Sequence, residues 1–149
     1  MAVFIGDFTY SIDSKGRINI PAKFRQNLSP EANGTFVLTP GFETCISVYP
    51  LDEWKKTEDR LKRLNPFKEK HRKFIRLMLS NVAEFQMDRQ GRIPIPPELI
   101  KFAMLDKEVR IIGMLNRFEI WNPKVYEQYQ AESQKNFEEL AEEIMSDSE

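Results

Sequence analysis

The sequence predicts an α+β fold built from two copies of one β-β-α-β-β unit, with added helices between the copies and after the second. Three observations carry this. The frame D-x-x-G-R-I-x-I-P occurs twice, as Asp13-Ser14-Lys15-Gly16-Arg17-Ile18-Asn19-Ile20-Pro21 and as Asp88-Arg89-Gln90-Gly91-Arg92-Ile93-Pro94-Ile95-Pro96. Every shared residue is displaced by 75 positions, so the chain carries an internal duplication. Second, in both copies a turn glycine separates two short strands and a proline ends the second of them. Third, residues 51–79 and those after Pro123 change to apolar spacing of helical period.

In the first copy, Thr9 to Asp13 and Arg17 to Ile20 read as two strands joined by Ser14-Lys15-Gly16. A three-residue hairpin loop needs a left-handed residue, and Gly16 stands where that glycine belongs. Asp13 opens the turn, where its carboxylate can accept loop N–H groups. Pro21 suits the first turn of a short helix, Ala22 to Leu28, stopped by Ser29-Pro30. After the turn at Asn33-Gly34, Thr35 to Pro40 and Thr44 to Tyr49 form a second strand pair. The second copy repeats the order. Glu84 to Met87 and Ile93 to Ile95 flank a turn shaped by Asp88 and Gly91, and Pro96-Pro97 opens a helix to about Ala103. Val109 to Met114 and Phe118 to Trp121 follow. Each unit is too small to bury a core alone, so the two are expected to share one barrel.

Between the copies, Leu51 to Leu64 and Phe67 to Leu79 read as two helices, separated where Asn65 precedes Pro66. One last helix is expected after Pro123, with Val125, Tyr126, Tyr129, Phe137, Leu140 and Ile144 on a single docked face. Ser146 to Glu149 is expected to be disordered. The apolar faces of these helices suit either packing on the barrel or a subunit interface.

Composition sets the class. With 41% hydrophobic and 30% charged residues, the chain is expected to be an ordinary cytoplasmic globular protein, with neither a secretory leader nor a membrane span. The lone Cys45 allows no internal disulfide and reads as a small buried core residue. Charge is divided unevenly. Residues 127–149 hold eight acids and one lysine, net −7, which leaves +6 on residues 1–126. A basic body with an acidic tail is a pattern found among nucleic-acid binders.

Catalysis finds little support. His71 is the one histidine, set in the basic run Lys68 to Lys73, and reads as a solvated helix residue. No Cys/His cluster for zinc, no phosphate-cradling glycine loop and no nucleophile–base pair is evident, so neither an enzyme nor a cofactor nor a small-molecule substrate is expected. The turns offer more. Lys15 and Arg17, and Arg89 and Arg92, place cations at hairpin tips, where DNA phosphates reward them and arginine can also read guanine. Asp13–Arg17 and Asp88–Arg92 could equally be ion pairs that only brace the turns. The many Lys and Arg residues of the insert suit a solvated face, or accessory phosphate or subunit contacts.

With both turns in view, the chain resembles the MraZ family of bacterial regulators, built on duplicated SpoVT/AbrB-type motifs. The signature D-x-x-x-R appears as Asp13 to Arg17 and Asp88 to Arg92. Leu77 to Glu84 and Phe118-Glu119-Ile120-Trp121 also match, and the likeness runs from about Phe4 to Tyr126. The resemblance implies a swapped-hairpin β-barrel of two SpoVT/AbrB-like ββαββ motifs, at 7–54 and 83–126. A helical insert occupies 55–82 and an acidic helix and tail 127–149. It implies a sequence-specific, nucleoid-associated transcriptional regulator, a ring-shaped homo-oligomer on direct repeats of double-stranded DNA upstream of its own division and cell-wall operon. Head-to-tail neighbours in a ring present the same turn in the same orientation, which suits direct repeats about 10 base pairs apart. The family's DNA-contacting role falls on Lys15 and Arg17. In the second copy Gln90 stands at the lysine position and the cation moves to Arg89, so the first turn is expected to dominate. Two other readings compete: an oligomeric interaction protein whose turns merely shape hairpins, and an antitoxin-like module that grips a partner with its tail.

Overall fold

A computed structural model describes residues 3–147. The first copy comprises β1 (Asp7–Ser11), β2 (Arg17–Asn19), α1 (Ala22–Gln26), β3 (Thr35–Pro40) and β4 (Ile46–Pro50). The insert forms α2 (Leu51–Lys62) and α3 (Glu69–Leu79). The second copy comprises β5 (Ala83–Gln86), β6 (Arg92–Pro94), α4 (Pro97–Phe102), β7 (Glu108–Gly113) and β8 (Phe118–Trp121). Helices α5 (Pro123–Gln134) and α6 (Phe137–Asp147) follow. Pro21 and Pro96 sit just before the first helical residue of α1 and α4, with Pro97 the first residue of α4. A 3-10 turn at Pro30–Ala32, capped by the Ser29 hydroxyl accepting from the Glu31 N–H, was not foreseen.

The strands exchange between copies. Six form one antiparallel sheet in the order β1-β7-β8-β4-β3-β5, while β2 pairs only with β6. Strand β1 of the first copy therefore lies on β7 of the second, and β5 of the second on β3 of the first. This corrects the expectation of two simple hairpins: Ile12 donates its N–H to Lys107 rather than into its own copy. The sheet is also open, with β1 and β5 as its edges, so no closed barrel forms. The reason lies in the turns, which lead each chain out of the sheet. The two I-x-I-P segments then bury Ile18, Ile20, Ile93 and Ile95 together as a ribbon over the sheet's inner face.

That inner face holds the main core. Phe36, Leu38, Ile46, Val48, Phe118 and Ile120 point towards the ribbon and towards Phe24 of α1 and Leu99 of α4. Phe24 and Phe118 pack with ring centroids 5.2 Å apart. The outer face is covered by the added helices. Val37 and Tyr49 meet Trp54, Leu61 and Met78, and the Thr39 hydroxyl donates to the Met78 carbonyl at 2.7 Å. Helix α5, capped by the Asn122 side chain, lays Tyr126 and Tyr129 on Trp121 with centroids 5.2 and 5.3 Å away.

The expected last helix is two helices. Lys135 and Asn136 interrupt it, with the Asn136 N–H turning back to Ser133 in a tighter bond. Asparagine competes for backbone partners and so favours such breaks. Tyr126 and Tyr129 both reach Trp121, but Tyr129 stays 43% exposed, and Phe137, Leu140 and Ile144 on α6 are exposed as well. Of the end expected to be disordered, Ser146 and Asp147 are helical, while Ser148 and Glu149 lie outside the described residues. No helix among the described residues is long and apolar enough to cross a membrane.

Candidate nucleic-acid interface

The two duplicated turns have one geometry. In the first, Asp13 Oδ1 accepts from the backbone N–H groups of Lys15 and Arg17, each at 2.9 Å. Its Oδ2 accepts from Arg17 Nε at 2.8 Å. In the second, Asp88 Oδ1 accepts from Gln90 and Arg92 N–H at 2.9 Å, and Oδ2 from Arg92 Nε at 2.8 Å. Gly16 and Gly91 hold φ of 76° and 75°, and each donates its N–H to the carbonyl of the aspartate opening its turn. These donors hold both aspartates below the ordinary carboxylate range, the arginine backbone N–H groups contributing most.

The β2–β6 ribbon brings the turns together. Because its strands run antiparallel, each turn lies beside the far end of the other copy's strand. Ile20 donates its N–H to the Gly91 carbonyl and Ile95 to the Gly16 carbonyl, both at 2.8 Å. Arg92 Nη1 stands 3.9 Å from Asp13 Oδ2, so the second arginine also faces the first aspartate. Arg17 and Arg92 are thus half-buried braces held through Nε, and Arg92 also reaches the first aspartate through Nη1. Lys15 and Arg89 differ: both are exposed, and neither side chain makes a hydrogen bond or ion pair among the described residues.

One cation near this face escaped the sequence reading. Arg25, on α1, donates Nε to the Ile20 carbonyl at 3.1 Å and crosses directly over Gly91. A Cβ built at Gly91 would meet Arg25 Nη1 at 2.7 Å, whereas one built at Gly16 meets nothing nearer than Ile95 O at 3.9 Å. The second turn thus gains from the first copy's helix a cation that its mate lacks. Its sequence carries no signal, since Arg25 is 66 positions from Gly91.

Elsewhere the fold assembles groups that spacing did not join. Glu43, Cys45 and Glu119 bring one oxygen or sulfur each within 4.8 Å of one another. The positive charge there is Arg117, whose Nη2 is 3.9 Å from Glu119. Burial pushes the Cys45 thiol up and keeps it protonated, and it also raises the Glu119 carboxyl, against the Trp121 indole N–H that Glu119 accepts at 2.9 Å. His71, expected to be solvated, is half-buried instead, and its Nδ1 accepts the Asn65 N–H at 2.9 Å.

A family model described as "MraZ protein, putative antitoxin-like" matches the chain twice, over residues 3–77 and 78–147. The chain belongs to the MraZ family. A relative from Natranaerobius thermophilus, named "Transcriptional regulator MraZ", is 44% identical over 143 residues, covering 96% of this chain and 97% of its own. Membership in the MraZ family places the chain among regulators rather than enzymes.

Proposed function

We propose that the chain is a sequence-specific transcriptional regulator that grips double-stranded DNA with its paired turns. The observation that carries this reading is the contrast within each turn. A brace already satisfies Asp13–Arg17 and Asp88–Arg92, yet Lys15 and Arg89 stand exposed at the tips with no structural employment. A brace alone needs no second cation, whereas a phosphate backbone does. The turns also share one rigid ribbon, which fixes the spacing between their cations without an entropic cost on binding. The relative's name points the same way.

In this reading the two exchanged units, 7–54 and 83–126, form the interleaved swapped hairpins that face DNA. The insert at 55–82 and the acidic segment at 127–149 serve assembly. Copies joined head to tail into a ring would present their turns to direct repeats, in the cytoplasm and on the nucleoid, with no cofactor or small-molecule substrate. The first turn dominates, because it keeps Lys15 where the second has Gln90 and has its free cation one position earlier, at Arg89.

The test is fluorescence anisotropy with DNA from upstream of the chain's own coding region, across a salt series. Lys15→Ala and Arg89→Ala remove cations without touching the braces. Removing one phosphate-binding cation should lower the slope of log affinity against log salt by about 0.9 per engaged chain. The Lys15 variant should lose more affinity than the Arg89 variant. Native affinity and slope in both would mean that the turns only shape the fold.

A further inference from the structure

Helix α6 is an amphipathic helix whose apolar side is exposed among the described residues. Phe137, Leu140, Ala141 and Ile144 follow the i, i+3, i+4, i+7 spacing of one face. Phe137 is 62% exposed, Leu140 42% and Ile144 60%. Glu138 and Glu143 border that stripe on its two sides. The helix holds five acids and no base, so its charge is −5. Two such helices would repel if they paired face to face.

A groove of opposite character lies where α3 meets the β3–β4 connection and the end of α4. Phe42, Phe74, Leu77, Met78 and Phe102 line it, with Phe42 and Phe74 stacked at 6.4 Å and 2°. Leu77 is 69% exposed there. Helix α3 carries four cations, Lys70, Arg72, Lys73 and Arg76, against Glu69, for a net +3. Lys70 and Lys73 lie one turn before Phe74 and Leu77, on the groove side of the helix.

Helix α5, from which α6 continues, packs on β7, whereas α3 packs on β3. Strands β8 and β4 intervene, so three strand spacings, about 14 Å, separate the two supports.

We propose that α6 of one copy lies in the Phe42–Phe74–Leu77–Phe102 groove of a second copy. Its apolar stripe fills the groove, and its acids face Lys70 and Lys73. Because donor and acceptor surfaces differ, the contact is head to tail and leaves each copy free to receive another α6. The inference rests on the assembly part of the reading above and names the surfaces that make it.

The experiment is disulfide trapping in the full chain carrying Leu77→Cys and Leu140→Cys together, with each single variant as control. Both positions are exposed, and the native Cys45 is buried. Mild oxidation should yield a ladder of covalent dimers, trimers and higher forms from the double variant, and monomer from each single one. A fast-migrating monomer with an internal disulfide would overturn the proposal, because α6 would then fold back on its own chain. So would dimers from either single variant, which would mean symmetric pairing.

A second measurement guards against poor oxidation. Lys70→Glu/Lys73→Glu should lower the mass of the assembly by light scattering, and adding Glu138→Lys/Glu143→Lys should restore it. An assembly of native mass in the first variant refutes the docking surface while leaving a ring intact. A native chain that is monomeric at micromolar concentration removes the ring as well, and DNA binding by anisotropy is then judged separately.

Discussion

The duplicated turns look equivalent in sequence, and the clearest place to find them unequal is at their glycines. Gly16 and Gly91 adopt φ of 76° and 75°, a left-handed conformation that costs an alanine about 1–2 kcal/mol in either turn. Their surroundings differ. The space beside Gly16 is open, while a methyl group at Gly91 would stand 2.7 Å from Arg25 Nη1 and 2.8 Å from its Cδ. Arg25 is flexible and can swing aside, but it then gives up its bond to the Ile20 carbonyl, a loss of about 0.5–1.5 kcal/mol. Gly16→Ala is therefore expected to cost about 1–2 kcal/mol and Gly91→Ala roughly 1 kcal/mol more. Urea unfolding at one fixed protein concentration measures both, since assembly makes apparent stability depend on concentration. The decisive comparison repeats the pair in an Arg25→Ala background, where the extra cost at Gly91 should disappear. Equal costs in the native background, or an excess that survives Arg25→Ala, would refute the account of Arg25 as the second turn's cover.

Three further outcomes follow from the buried and braced groups. Cys45 should resist a thiol reagent at pH 8 in the folded chain and react at once in denaturant, because burial keeps the thiol protonated. Glu119 is raised above its ordinary value, so the folded state holds its proton to higher pH than the unfolded state does. Stability should then fall as pH rises from about 4.5 through the folded value, and Glu119→Gln should flatten that fall in urea midpoints taken at several pH values. Asp13 and Asp88 act in the opposite sense and in a lower window. Both are depressed, so their stabilisation is present above their ordinary 3.8 and disappears as pH drops through their lower folded values. Asp13→Asn/Asp88→Asn should remove that acid-side effect while leaving the Glu119 window unchanged.

Much of the architecture was legible because the chain says it twice. The order of strands and short helices followed from glycine, proline and apolar alternation, and Thr35–Pro40 and Phe118–Trp121 were placed to the residue. Partner choice was not legible from local spacing. Local spacing suggested that β1 would pair with β2, whereas β2 pairs with β6 and Ile18, Ile20, Ile93 and Ile95 are buried together in one core. That is a long-range energetic decision, and two motifs that share one frame give local reasoning no means of making it. The split between α5 and α6 was missed as well. Tyr129 and Phe137 can share one helical face only across Glu132, Ser133 and Asn136, and that polar gap coincides with the break. At the turns, Asp13, Gly16, Asp88 and Gly91 could be named from turn chemistry, whereas Arg25 and the meeting of Cys45 with Glu119 depend on which elements pack together.

A duplication starts with two equal sites, and each later substitution either preserves the shared frame or departs from it. Here the frame residues are those that make the exchange of strands possible: the aspartate, glycine and arginine of each turn, and the I-x-I-P that follows. These repeat with bond lengths that agree within 0.1 Å in their side-chain contacts. The departures lie at positions that the frame does not use. Lys15 against Gln90 and Ser14 against Arg89 alter the exposed tip, Asn19 against Pro94 falls within the β2–β6 ribbon, and Arg25 covers one glycine but not the other. The tip substitutions therefore stand apart from the residues that set the fold. Exchanging Ser14-Lys15 for the second copy's Arg89-Gln90 should leave stability within about 0.5 kcal/mol, as expected for exposed positions without special backbone geometry. DNA affinity should fall in the same variant. A stability loss several times larger would mean that the tips are part of the fold after all, and the division of labour within the motif would fail.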